Sequence, residues 1–193
     1  MTQRVPDDVI ATFARQQHDW MGRVLKGSLN PIEVAKAIQS IINRGQMFNP
    51  RSLFKTCTGL WVSDSFTSRI LPHVDPMPYR GHEGVTSSQL ARNMYDKEII
   101  DEMLGGMEEV RSHAFTLDQI AEMIGSQPNG EDGILLNNGY ANIFYVLVNG
   151  VLFVVCVNWI SDYRLWYVVA WHLDGYGHWN AGNRVFRNTT LAI

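Results

Sequence analysis

From Tyr140 to Phe186 the chain is dense in Val, Ile, Phe, Tyr and Trp, and turn residues interrupt it at regular intervals. Asn149-Gly150 separates two apolar runs, the strongest short-range signal for a β-hairpin. A two-residue turn there sets Val148 opposite Val151, Val146 opposite Phe153 and Phe144 opposite Val155. The next turn, Ser161-Asp162-Tyr163-Arg164, sets Ile160 opposite Leu165, Trp159 opposite Trp166 and Val157 opposite Val168. A third, Asp174-Gly175-Tyr176-Gly177, brings His172 opposite Trp179. The pattern predicts a four-stranded antiparallel meander.

Side chains alternate faces along a strand, so the register sorts them. One face carries Phe144, Val146, Val155, Trp159 and Trp166, with Trp179, Ala181 and Val185 on the predicted fourth strand. The other carries Ile143, Tyr145, Cys156, Asn158, Tyr167 and Trp171, with Arg184 and Phe186. An antiparallel sheet ordinarily leaves one face wet. Neither face is polar here, so the chain's own helices, a second subunit or a ligand must cover each; coverage by helices is the ordinary expectation.

Before the meander the periodicity is helical. Asp7 and Asp8 suit a first turn after Pro6, and Val9, Ile10, Phe13, Trp20, Met21 and Val24 form a stripe ending at Gly27-Ser28. Asn30-Pro31-Ile32-Glu33 begins a second helix, with Val34, Ile38, Ile41 and Ile42 buried and Gly45 as its stop. Residues 1–46 are thus predicted to form a helical hairpin, and 47–193 an α+β domain. Leu60 to Ile70 alternates like a strand or an irregular segment. Asp96 to Leu104 reads as a helix capped by Asp96. Thr116 and Gln119 form a capping box for another helix, ended by Gly125. The predicted fold class is α+β, with these later helices packed on the meander at 140–186.

Composition narrows the function. At 193 residues, 46% hydrophobic and 18% charged, the chain is globular rather than disordered. No signal-peptide pattern opens it. The most apolar run, Val146 to Ile160, is too short and too interrupted to span a bilayer, so no membrane association is expected. Cys57 and Cys156 make no disulfide framework, which fits a reducing, cytoplasmic setting. Charge is uneven: residues 1–55 carry eight Lys/Arg and four acids, while 56–133 carry five basic and thirteen acidic residues. Nonspecific coating of nucleic acid by the whole molecule is therefore disfavoured.

Candidate chemistry lies in three places. The mixed sheet face gathers Tyr145, Asn158, Tyr167, Trp171 and Arg184, with Tyr167 opposite Arg184 in the inferred register. Such an aromatic platform with hydrogen-bonding tips suits a peptide, a sugar or single-stranded nucleic acid. A structural Arg184–Tyr167 cation–π pair explains the same residues. The proline-rich loop holds His73, Asp75, His82 and Glu83, chemically fit for a divalent ion but matching no ligand spacing. A solvated loop explains them as well. The helix Ile32 to Arg44 offers Lys36, Arg44, Gln39, Ser40 and Asn43 to nucleic acid, fewer cations than a DNA reader brings. Phosphate-loop and dinucleotide-binding glycine motifs are missing, and no cofactor is implied.

The segments GYANIFYV (139–146), VNW (157–159), AWHLD (170–174) and WNAGNRVF (179–186) resemble small hypothetical proteins of uncultured bacteria. The resemblance implies a bacterial, cytoplasmic protein and carries over no site residue. The function expected is a non-enzymatic binding or protein-interaction module, meeting a protein partner or a second copy through the aromatic face or the hairpin. The alternatives are a metal-dependent hydrolase or nuclease, with His73, Asp75 and His82 as ligands and Glu83 as base, and nucleic-acid binding by residues 1–46.

Overall fold

The computed structural model describes residues 7–32, 34, 35, 38, 47–82, 84–173 and 178–189. The chain falls into two compact units, Met1–Gln46 and Met47–Ile193.

In the first unit, helix α1 spans Asp7–Leu25. Gly27 ends it at φ +71°, where a left-handed residue lets Ser28 N donate to Arg23 O and Gly27 N to Val24 O. Asn30 Oδ1 accepts from Ile32 N at 2.9 Å and starts the next helical turn. Trp20 and Val24 of the predicted stripe are half-buried, whereas Met21 and Leu25 are exposed. Glu33, Ile41, Ile42, Gly45 and all five candidate nucleic-acid contacts, Lys36, Gln39, Ser40, Asn43 and Arg44, lie outside the described residues.

The second unit is α+β, but its sheet is six-stranded and mixed, not a four-stranded antiparallel meander. Its strands are β2 (Leu60–Val62), β4 (Val85–Gln89), β5 (Asn142–Val148), β6 (Val151–Ile160), β7 (Leu165–His172) and β8 (Arg184–Asn188), in the order β2-β7-β6-β5-β8-β4. A small antiparallel pair, β1 (Met47–Phe48) with β3 (Met77–Pro78), stands apart.

Both inner hairpins have the predicted register, with Val146 opposite Phe153 and Trp159 opposite Trp166. Asn149 (φ 49°) and Gly150 (φ 77°) supply the two left-handed residues that a tight hairpin turn requires. The fourth strand differs. Leu60–Val62 occupies the outer edge of β7 in parallel, with Trp61 opposite Tyr167, so that edge is already filled. β8 instead inserts between β5 and β4, parallel to β5 and antiparallel to β4. Trp179 is therefore not opposite His172 but bridges Met94, and the predicted third turn, Asp174–Gly177, lies outside the described residues.

The segment over 60–70, read as a strand or an irregular stretch, splits into strand Leu60–Val62 and a helix. The short helix α2 (Pro50–Leu53) precedes this segment, and after Val62 the Ser63 hydroxyl accepts from Phe66 N and starts helix α3 (Asp64–Arg69). A local side-chain cap thus overrides the alternating pattern.

Helices pack on both sheet faces. Phe66 and Ile70 join Phe144, Val155, Trp166 and Val168 on one side, with helix α6 (Leu117–Gly125) supplying Leu117, Ile120 and Met123. On the other side, helix α4 (Asp96–Met103) and helix α5 (Met107–Ser112) bring Ile99, Ile100 and Val110 onto Ile143, Tyr145 and Val154. Among the described residues no helix is long and apolar enough to cross a membrane.

Candidate functional site

The α4–α5 layer packs on Ile143, Tyr145 and Val154 and leaves part of the second face open. Over β6 and β7 that face opens into a groove of about 660 Å³, within the size range of small-molecule sites. Its floor is Cys156 and Val169, its strand-borne rim Asn158, Tyr167 and Trp171. Two loops close the sides: Asn138–Ala141 before β5, and Trp179–Asn183 before β8.

Each loop is held rigidly, for reasons visible in its sequence. The stretch between α6 and β5 is long for a connection without regular structure, and such loops are commonly functional. Two buried amides pin it. Gln127 donates to the carbonyls of Glu131 and Leu135 and accepts from Leu135 N; Asn142 donates to Leu136 O and Val157 O and accepts from Leu136 N. Each side chain thereby uses both N–H donors and one acceptor site away from water. Gly130 lies against the Trp159 indole so closely that a Cβ would fall 2.2 Å from it.

The second loop is tied to residues 90–94. Trp179 and Met94 exchange two backbone bonds, Gly182 N donates to Leu90 O, and Ala181 N donates to Asn93 Oδ1. Asn183 Oδ1 accepts from Ala141 N at 3.0 Å and so joins the two loops. Gly182, at φ +93°, lets the Tyr140 ring rest on bare backbone, since a Cβ there would meet ring carbons at 2.9 Å. Beneath the groove, Asp96 Oδ1 accepts from Trp179 Nε1 at 2.7 Å and from the Tyr145 hydroxyl at 3.0 Å, and all three residues are buried. Trp179 then supports Trp171 edge-on, ring centroids 5.9 Å apart.

The five residues expected to share this face do not all meet. Asn158, Tyr167 and Trp171 line the groove together. Tyr145 is on the same face but buried under α4, its hydroxyl spent on Asp96. Arg184 is on the opposite face: it pairs with Asn142 and Gln89, not with Tyr167, and donates to Ile134 O at 2.6 Å. Val185 packs with Ile143 while Phe186 stacks on Phe144 at 4.5 Å, so every predicted β8 assignment is inverted. Moving a strand to a different neighbour removes the register from which its faces were inferred. Tyr167 meets Trp61 instead, at 5.7 Å across the β2 edge.

Sequence reading passed over Asn138, Tyr140, Asn180 and Trp61. The signal was present in Asn137-Asn138-Gly139-Tyr140 and Asn180-Ala181-Gly182-Asn183, two amide- and glycine-rich loops flanking the apolar runs. They look like ordinary turn punctuation until the fold brings them together.

The candidate metal loop is arranged differently. His73 and Asp75 are exposed, while the His82 Nδ1 and backbone N both lie 2.7 Å from Glu122 Oε2. Asp118 accepts from Arg80 N and Gly81 N, so α6 straps this loop down by two carboxylates one turn apart. Burial pushes the Glu122 carboxyl up, but hydrogen bonds from His82 and Tyr79 outweigh it and hold the group below its ordinary value. Among the described residues no group of three His, Cys, Asp or Glu is placed to hold a metal, and Glu83 lies outside them.

Within the groove, burial pushes the Cys156 thiol well above its ordinary value, and Cys156 Sγ donates to Asn158 Oδ1 at 2.7 Å. A thiol held protonated is a poor nucleophile. Compared with models of protein families, with curated proteins and with solved structures, the chain has no significant match.

Proposed function

We propose that the protein is a non-enzymatic binding module whose ligand seats in the groove on the open half of the sheet's second face. The observation that carries this reading is the lining itself. Aromatic faces from Tyr140, Tyr167 and Trp171 surround a floor of Val169 and Cys156, and the amides of Asn138, Asn158 and Asn180 stand around them. Such a surface offers stacking and neutral hydrogen bonds. General acid–base catalysis needs a group poised near the working pH; the described lining supplies amides, aromatic rings and a thiol shifted away from ionisation. Rigid walls favour recognition further, because a preorganised site loses little entropy on binding.

Thermal unfolding across a mixed panel of neutral oligosaccharides, peptides and oligonucleotides tests the reading, using wild type beside the Tyr167→Ala, Trp171→Ala variant. At least one class is expected to raise the melting temperature of wild type and not of the variant. A panel in which nothing stabilises wild type, or in which every stabiliser acts equally on both proteins, refutes it.

A further inference from the structure

The lining also selects among ligand classes, and this step rests on the groove being the binding site. We infer that the occupant is a neutral oligosaccharide. A nucleic acid or an acidic peptide needs cations along its path, yet no described lining residue is Lys, Arg or His. Arg184, on strand β8, faces the other side of the sheet. A long apolar ligand would cover the exposed Asn138 and Asn180 amides without pairing them, which weakens binding.

A sugar ring satisfies both halves of the lining. Its C–H faces lie on aromatic rings, and its vicinal hydroxyls match the donor and acceptor of a side-chain amide. Spacing argues for more than one ring. Tyr167 and Trp171 are four residues apart on one strand, so they share a face with a separation of about 13 Å at the strand rise. Across the strands, Trp61, Tyr167 and Asn158 stand at one level, and Asn158 Nδ2 donates to Gly139 O beside Tyr140. This aromatic–amide line runs from the exposed Trp61 at the sheet edge into the groove, and Trp61 is 52% exposed. A single sugar cannot touch both ends of either row.

The test is a tryptophan-fluorescence and calorimetric titration of the full chain with tetrasaccharides of β-1,4-linked glucose, β-1,4-linked N-acetylglucosamine and α-1,4-linked glucose. A neutral oligopeptide and a single-stranded oligonucleotide serve as the other arms. Saturable binding of at least one tetrasaccharide is expected, weakened roughly tenfold by Trp171→Ala and by Tyr140→Ala, and insensitive to salt because no ion pairs form. Tyr140 is 44% exposed, so its variant folds even should Trp171→Ala lose packing on Trp179. Binding of the peptide or oligonucleotide alone, lost in the same variants, overturns the sugar assignment and leaves the groove standing. Sugar binding that both variants retain overturns the groove itself. Absence of binding to all three sugars overturns the ligand class.

Discussion

Asp96→Ala is the most direct probe of how the groove is supported. In the wild type one carboxylate oxygen takes the Trp179 indole N–H at 2.7 Å and the Tyr145 hydroxyl at 3.0 Å. Asp96 is 3% exposed, and both donors are 2% exposed. Hydrogen bonds to a charged partner each contribute about 1.5–3 kcal/mol net, and truncation leaves both buried donors without this acceptor. Loss of an acidic residue from the first turn of α4 adds about 0.3–1 kcal/mol. Relief of the buried carboxylate's desolvation offsets part of the total. The expected loss is about 3 kcal/mol for Asp96→Ala and roughly half that for Asp96→Asn, which keeps an oxygen in place. Urea unfolding followed by far-ultraviolet circular dichroism and tryptophan emission measures both, with the slope expected to stay constant. A double-mutant cycle with Trp179→Phe, which removes the N–H and keeps a ring, should give a coupling of about 1–2 kcal/mol. Asp96→Ala within about 0.5 kcal/mol of wild type, or a coupling of zero, refutes the assigned role.

Three further outcomes are expected. Gly130→Ala, forcing a Cβ to within 2.2 Å of Trp159 at φ +70°, should cost about 2–5 kcal/mol by overpacking and backbone strain, whereas Gly139→Ala, with nothing within 4 Å, should cost only about 1 kcal/mol; urea midpoints decide. Glu122 ionises more readily folded than unfolded, so its contribution is complete above its ordinary value of 4.5 and disappears as pH falls through the lower folded value. Glu122→Gln should therefore flatten the acid limb of the stability profile below that pH, and an unchanged limb refutes the strap. A thiol titration of native protein should count one reactive cysteine, the exposed Cys57, and two only in denaturant, because Cys156 is buried and held protonated; fast modification of both contradicts that burial.

The two inner hairpins were legible because their information is local: Asn149-Gly150 specifies its own turn, and the four residues from Ser161 to Arg164 do nearly the same. With registers fixed, the facial sorting of β5, β6 and β7 followed, and Asn158, Tyr167 and Trp171 emerged together. The fourth strand was illegible because its place depends on competition. Leu60–Val62, three residues long, takes the β7 edge, and nothing near Arg184 announces a parallel seat beside Asn142. The site was read half correctly for the same reason. Strand residues carry a face in their spacing, but Asn138, Tyr140 and Asn180 sit on loops that no periodicity describes, and contacts made only in the fold, the Asn183–Ala141 bond and the Tyr140 ring against Gly182, bring the loops together. Asp96 illustrates a third kind of miss. Its position next to a helix start reads as a cap, yet Tyr95 holds that place, its backbone N donating to Glu98 Oε2 at 2.7 Å. The Asp96 carboxylate is turned inward.

The seat of β8 has a consequence for synthesis. Val85–Gln89 emerges from the ribosome early, yet among the described strands its only neighbour is Arg184–Asn188, almost a hundred residues later. A nascent chain halted before Arg184 would therefore strand one ribbon while lacking another, and expose the flank of β5 on which both depend. Closure must wait until Arg184–Asn188 has been made, so this sheet should form in one late step rather than piece by piece, and slowly for its size.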